Sequence, residues 1–164
     1  MQILLALRAA IFFGAGLFIT FSADHGYTIG QQLLAAVTGL FAMTVFILIA
    51  MQRKVTKADI LMAMVGFLVT LLALFTIASA PQMLYFLITL WGLTSAMIEI
   101  FAARDLGFRS REGKDRLISA GLSVAIGVLV IFPLDVVSAV GFLGVYFAIS
   151  GVHWGIASAT PAAK

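Results

Sequence analysis

Six apolar segments, joined by short polar connections, take up almost the whole of this 164-residue chain. An α-helix needs about 17 to 25 mostly apolar residues to cross roughly 30 Å of hydrocarbon, and each segment has that length. Because 63% of the residues are hydrophobic and only 10% are charged, a soluble globule would lack polar surface. The sequence therefore predicts an all-α membrane protein, with one six-helix transmembrane domain over residues 1–164 and a short polar tail at 161–164. The predicted spans are roughly residues 3–22, 29–51, 58–79, 82–103, 116–132 and 135–158.

The basic residues lie on one side of the predicted membrane. The alternate connections, around Asp24, Pro81 and Asp135, hold none of the ten Lys and Arg residues. Cationic loops resist translocation, so we expect a bacterial inner-membrane protein with both termini in the cytoplasm. Arg8 falls inside the first segment, and its long side chain is expected to reach the interface. The residues predicted to contact lipid headgroups are Arg53, Lys54, Lys57, Arg104, Arg109, Arg111, Lys114 and Arg116.

The expected partners follow from this placement. Basic clusters beside membrane spans bind anionic lipid, and they do not form the basic face of a soluble fold that would bind nucleic acid. The sequence predicts contact with membrane lipids and none with nucleic acid.

Glycines and prolines recur at a nearly constant interval. Gly39, Gly92 and Gly144 are spaced by 53 and 52 residues, and Pro81 and Pro133 each lie eleven positions before the later two. Proline fits the first turn of a helix because its φ is fixed and it has no N–H to donate. The interval predicts three tandem helical hairpins of parallel topology. These hairpins cover about residues 3–51, 58–103 and 116–158.

Small residues at helical spacing predict close helix contacts. Gly39, Gly92 and Gly144 belong to this set, as do Gly151 and Gly155 in the last segment. Two interpretations stay open, packing within the bundle and a homo-oligomer interface. The best candidate for a homo-oligomer interface is the stretch from Gly151 to Gly155.

Four stretches of the chain resemble the HdeD-like family of small bacterial membrane proteins. The resemblance implies short two-helix repeats, six crossings of the inner membrane and an association with acid resistance. The stretches are Leu7 to Gly14, Leu90–Trp91–Gly92 leading to Glu99 through Arg104, Gly121 to Gly127 followed by Pro133, and Leu143 to Tyr146 with Ser150 to Val152.

Glu99 is the side chain within the predicted spans that most directly suggests a function. It lies about one turn from the end of the fourth segment at Ala103, where a carboxylate needs a partner or a proton. It could bind and release a proton as a sensor or coupling group. It could equally be a helix-end acid paired with Arg104 or another cytoplasmic base.

Two histidines are further candidates for proton sensing. His153 lies at a depth comparable to that of Glu99 and could pair with it, or it could sit beside Trp154 in the interfacial aromatic belt. His25 lies in the first outer connection beside Asp24, where low external pH would charge it. A solvated loop histidine would behave in the same way.

No motif in the sequence predicts enzymatic chemistry. Cysteine is absent, and we find no phosphate loop, paired-histidine metal helix or nucleophile elbow, so no cofactor and no metal are expected. One hypothesis is a non-enzymatic inner-membrane protein that supports acid-stress or envelope-stress resistance. The alternative is a small oligomeric proton-linked transporter or channel that uses Glu99 and His153.

Overall fold

The computed structural model describes residues 2–77, 79–132 and 134–160, and within these ranges the chain is helical, with six helices and no strand. Five of the helices are long and apolar enough to cross a membrane, as expected of a multi-pass membrane protein. The all-helical prediction is confirmed. The helices are α1 (Gln2–Phe21), α2 (Tyr27–Ala50), α3 (Lys57–Phe75), α4 (Pro81–Leu106), α5 (Arg111–Leu129) and α6 (Val136–Ala159).

Helix α5 is the exception among the six, because its first turns are charged. It begins at Arg111, whereas the sequence pattern predicted a start at residue 116. The Ser110 hydroxyl caps it by accepting a hydrogen bond of 2.9 Å from the Gly113 N–H. Since α4 continues to Leu106, the two helices are connected by residues 107–110 instead of the stretch 104–115 between the predicted spans. The prediction was wrong here because hydropathy does not detect a charged segment that is nonetheless helical.

Two predicted helix starts are confirmed. Pro81 occupies the first turn of α4. Asp135 caps α6 by accepting a hydrogen bond of 2.9 Å from the Ser138 N–H. Pro133 and the predicted tail at 161–164 lie outside the described residues.

The six helices form a closed ring, in which each helix contacts the next along the chain and α6 contacts α1. The closest pairs are α1 with α6, α4 with α5, and α2 with α3, so each joins helices from different predicted hairpins. The backbones of α2, α4 and α6 also approach one another, whereas those of the described parts of α1, α3 and α5 do not. The even-numbered helices therefore surround the centre of the bundle.

The three glycines of the repeat lie at these close pairs. Gly39, Gly92 and Gly144 come from α2, α4 and α6, and each faces an odd-numbered helix of another predicted hairpin. A Cβ atom at the three positions would lie 3.2 Å from Thr70, 2.7 Å from Ser123 and 2.7 Å from Ile19, respectively. At Gly92 and Gly144 the neighbouring helix occupies the space of a methyl group, whereas at Gly39 an added methyl group would make a tight contact with the Thr70 side chain.

Helices α1 and α6 approach most closely at two other glycines. A Cβ atom on Gly16 would lie 2.5 Å from the Ala148 backbone nitrogen, and one on Gly151 would collide with the Phe13 backbone. At Gly155 the nearest atom is the Ala9 Cβ at 3.8 Å, an ordinary contact. Gly151 therefore packs within its own chain, which supports the interpretation of internal packing at this position.

We expect Gly151→Ala to destabilise the bundle by about 1–3 kcal/mol, because the added methyl group must push α1 and α6 apart. Gly14→Ala is the matched control, since a Cβ atom there meets nothing within 4 Å and alanine favours the helix. Equilibrium unfolding in detergent micelles measures both variants. Equal stability of the two would contradict the close approach.

Candidate functional site

Four charged side chains from four helices meet inside the bundle, and we call them the ionic cluster. They are Arg8 of α1, Asp59 of α3, Glu99 of α4 and Arg116 of α5, with exposed fractions of 2%, 2%, 0% and 3%. They lie near the basic end, which we define as the end of the bundle where α1, α3 and α5 begin. Because α4 ends at Leu106, Glu99 lies seven residues, or roughly 10 Å, from that helix end.

Glu99 is at the centre of the cluster, and both of its carboxylate oxygens are engaged. Oε1 lies 2.9 Å from Nη1 of Arg8, and Oε2 accepts a hydrogen bond of 2.9 Å from Nη1 of Arg116. The Ser119 hydroxyl adds a longer hydrogen bond of 3.4 Å to Oε1. The Arg8 contact is an ion pair by distance, although its N–H does not point along a hydrogen bond. Glu99 thus joins α1, α4 and α5.

Asp59 brings α3 into the cluster. Arg116 donates a second hydrogen bond, of 2.9 Å, from Nη2 to Oδ1 of Asp59, so its planar guanidinium bridges two carboxylates. The Thr56 hydroxyl donates to Oδ2 of Asp59 at 2.6 Å and accepts from the Asp59 N–H at 3.1 Å. Asp59 also lies in the first turn of α3, where the helix dipole favours a carboxylate.

Aromatic rings cover the faces of the arginines. The Arg8 Cζ lies 4.3 Å from the Trp154 ring centroid, and the Arg116 Cζ lies 5.3 Å from it. Phe12 and Phe41 also lie within 5.5 Å of the Arg8 Cζ. Both guanidinium groups therefore gain cation–π attraction where water is excluded. Through Trp154, α6 also contributes to the site.

The charges of the cluster cancel, with two arginines opposite two carboxylates. Removing an ion from water costs several kcal/mol, and an ion that stays unpaired in hydrocarbon is also unfavourable. Because their four formal charges sum to zero, these groups can be buried together. A change of charge on any one of them leaves the others uncompensated.

Two residues lie elsewhere than the sequence pattern predicted. Arg8 was expected to reach the interface and Arg116 to contact lipid headgroups, but both are buried in the ionic cluster. Glu99 is paired with these two bases, whereas Arg104 lies at the surface, 3.6 Å from Asp105. Of the two interpretations of Glu99, the structure shows pairing with a base, and the bases are Arg8 and Arg116 instead of Arg104. A proton-sensing role for Glu99 stays a prediction.

The three predicted proton-sensing residues are not brought together. Nε2 of His153 lies 2.9 Å from the Asp115 carbonyl oxygen, and the ring centroid is 5.2 Å from that of Trp154. His153 thus lies beside Trp154, one of the aromatic residues that cover the cluster. The described partners of Glu99 are the two arginines and Ser119. His25 is half-buried in the connection between α1 and α2, at the opposite end of the bundle.

The remaining basic residues predicted to contact headgroups are exposed. All seven lie at or near the basic end, within the α2–α3 connection, the end of α4, the α4–α5 connection and the first turn of α3 or α5. They are Arg53, Lys54, Lys57, Arg104, Arg109, Arg111 and Lys114.

Sequence reasoning missed Asp59. The signal was present, because Thr56 followed three residues later by an acid before an apolar run is a helix-capping pattern. That pattern would have predicted the cap but not the contact with Arg116, which depends on how α3 and α5 are rotated. The described residues hold no group of three His, Cys, Asp or Glu side chains that could bind a metal ion.

The chain matches no protein-family model, no curated protein and no solved structure.

We expect Glu99→Gln to destabilise the fold by about 3–5 kcal/mol, because it leaves two buried arginines with a single carboxylate. Asp105→Asn, which breaks the exposed pair with Arg104, should cost about 0–1 kcal/mol. Unfolding in detergent measures both. If the two variants lose the same stability, the cluster does not hold the helices together.

Proposed function

We propose that this chain is a multi-pass protein of the bacterial inner membrane that acts without enzymatic chemistry and supports resistance to acid or envelope stress. The observation that carries the proposal is the ionic cluster, which is sealed, neutral and placed near one end of the bundle. It pairs two carboxylates with two arginines, so the loss of either negative charge would leave a buried arginine without a full counter-charge.

The described contacts suit a structural role better than a catalytic one. Both oxygens of Glu99 and both of Asp59 are engaged by neighbouring side chains, so neither carboxylate is positioned to attack or deprotonate a substrate. We therefore infer that the ionic cluster holds the helices together and does not act on a substrate. Its proposed partners are membrane lipids and, at the lipid-facing helices, further copies of the chain.

We assign the basic end to the cytoplasm, with both termini on that side and three tandem hairpins between them. The support is the seven exposed basic residues near that end. Since the chain lacks cysteine, single cysteines at His25 and Ser110 can report on opposite faces. A membrane-impermeant thiol reagent applied to intact spheroplasts should label His25→Cys and spare Ser110→Cys. The reverse labelling would overturn the assignment.

The assignment to the HdeD-like type rests on the resemblance in the glycine-rich and proline-marked stretches. Its support from geometry is that Gly39, Gly92 and Gly144 lie at comparable close contacts between helices, as repeated units would place them. The association with acid resistance follows from that resemblance.

We expect cells that lack this gene to survive an acid challenge poorly and to recover with a wild-type copy. A copy carrying Glu99→Gln should restore survival less well, whereas the Asp105→Asn copy should restore it fully. Colony counts after acid exposure, with membrane levels of each variant checked by immunoblot, measure this. Equal survival of the deletion strain and its parent would remove the acid-stress role.

The second candidate function is a small oligomeric proton-linked transporter or channel, with Glu99 and His153 as coupling groups. It is favoured by polar contacts that continue inward from the cluster, where Ser119 contacts Glu99 and Ser123 lies 3.2 Å from the Tyr146 hydroxyl. Proteoliposomes under an imposed pH gradient separate the two proposals. Proton flux that Glu99→Gln abolishes would favour the transporter, and the absence of flux would favour the structural role.

A further inference from the structure

A recess opens at the basic end between the start of α1 and the end of α2. One part of its lining is apolar, and the other carries an amide and two cations. The apolar residues are Ile3, Leu4 and Leu48, and the polar ones are Gln52, Arg53 and Lys54. The recess is separate from the ionic cluster, since none of the four charged residues of the cluster lines it.

The polar side of the recess is built by an unusual helix ending. After α2, the Gln52 N–H donates to the Ile49 carbonyl at 2.8 Å, and the Arg53 N–H donates to the Leu48 carbonyl at 2.9 Å. This pair of bonds is the Schellman ending, which requires a left-handed residue and usually uses glycine. Here the residue is Gln52, with φ of 56°, and no other non-glycine residue in the described ranges has positive φ.

A side chain at a left-handed position is disfavoured, because its Cβ crowds the backbone. Glycine would close α2 more easily but would leave the recess without the glutamine amide. Strained positions of this kind are concentrated at ligand sites. The strain therefore marks the recess independently of its charge.

We propose that this recess binds the headgroup of an anionic phospholipid. The phosphate would accept hydrogen bonds from the Arg53 guanidinium, the Lys54 ammonium and the Gln52 amide, while an acyl chain would lie along Ile3 and Leu48. Arg53 and Lys54 are exposed at the end of the bundle, and the described residues that line the recess include no acid to compete for them. The proposal requires that the chain is embedded in a membrane, but it does not depend on the acid-stress role.

The test compares two variants of equal charge. Arg53→Gln/Lys54→Gln removes the cations of the recess, and Arg109→Gln/Lys114→Gln removes two exposed cations elsewhere near the basic end. The full chain is placed in nanodiscs of phosphatidylcholine with a minor share of phosphatidylglycerol, and co-purified lipid is counted by native mass spectrometry. Each lost cation of the recess should weaken phosphatidylglycerol binding about fivefold, or roughly 25-fold for the pair.

The control variant lowers only the general attraction of the basic end for anionic lipid, so it should lose clearly less phosphatidylglycerol than the recess variant. An equal loss in both variants would mean that binding is only general attraction to the basic end, and the proposal would fail. It would also fail if phosphatidylcholine were retained equally well. Inorganic phosphate is added in a further arm, and complete displacement of the lipid by phosphate would assign the recess to a free anion instead.

Gln52→Gly separates binding from folding. It relieves the left-handed strain at the end of α2, so the melting temperature should rise or stay unchanged, while the occupancy of phosphatidylglycerol should fall. If the Gln52→Gly protein is folded and binds lipid at wild-type occupancy, the Gln52 side chain is not a lipid ligand. A fall in both stability and binding would mean that the side chain is structural, which would overturn its role as a lipid ligand.

Discussion

The bridge that Arg116 makes between Glu99 and Asp59 is the interaction on which the arrangement of the helices depends. In a medium of low dielectric constant, a charged side chain is tolerated only if its partner lies within contact distance. Every partner in the ionic cluster comes from a different helix, so meeting this requirement fixes α1, α3, α4 and α5 relative to one another. Burial of ions adds little net stability, but it penalises every other arrangement of the same helices.

The ionic cluster can fix the arrangement of the helices only near the basic end. Farther from that end, the arrangement depends on how closely the helix backbones pack. Lipid offers helices almost no hydrophobic reason to associate, so packing must come from close backbone approach. Gly16 lies against Ala148, and Gly92 lies against Gly127, which brings α1 to α6 and α4 to α5. Thr70 of α3 adds a hydrogen bond of 3.2 Å to the Ala35 carbonyl of α2. The closest contacts thus join helices that are not paired in the predicted hairpins.

The sequence predicted the helices but not how each helix is rotated about its own axis. Long apolar runs predicted six helices, and Pro81 and Asp135 marked two of their starts, because these signals are local. The rule that places basic residues in the cytoplasm counts charges by their position along the chain. It could not distinguish Arg116, which points inward, from Lys114 two residues earlier, which is exposed. Glu99 was found because an acid within an apolar run is conspicuous by itself.

The distribution of polar groups through the bundle bears on which function the cluster can serve. Ser123 and Tyr146 form one hydrogen-bonded pair, and Thr38 and Thr70 form another at 2.8 Å. No hydrogen bond among the described residues joins the two pairs, and buried apolar side chains such as Leu143 lie in the core between the helices. A proton path needs successive polar stations from one face to the other. The polar contacts of the described residues form separate pairs and no continuous series of this kind, which fits a structural role of the cluster better than a path across the bundle.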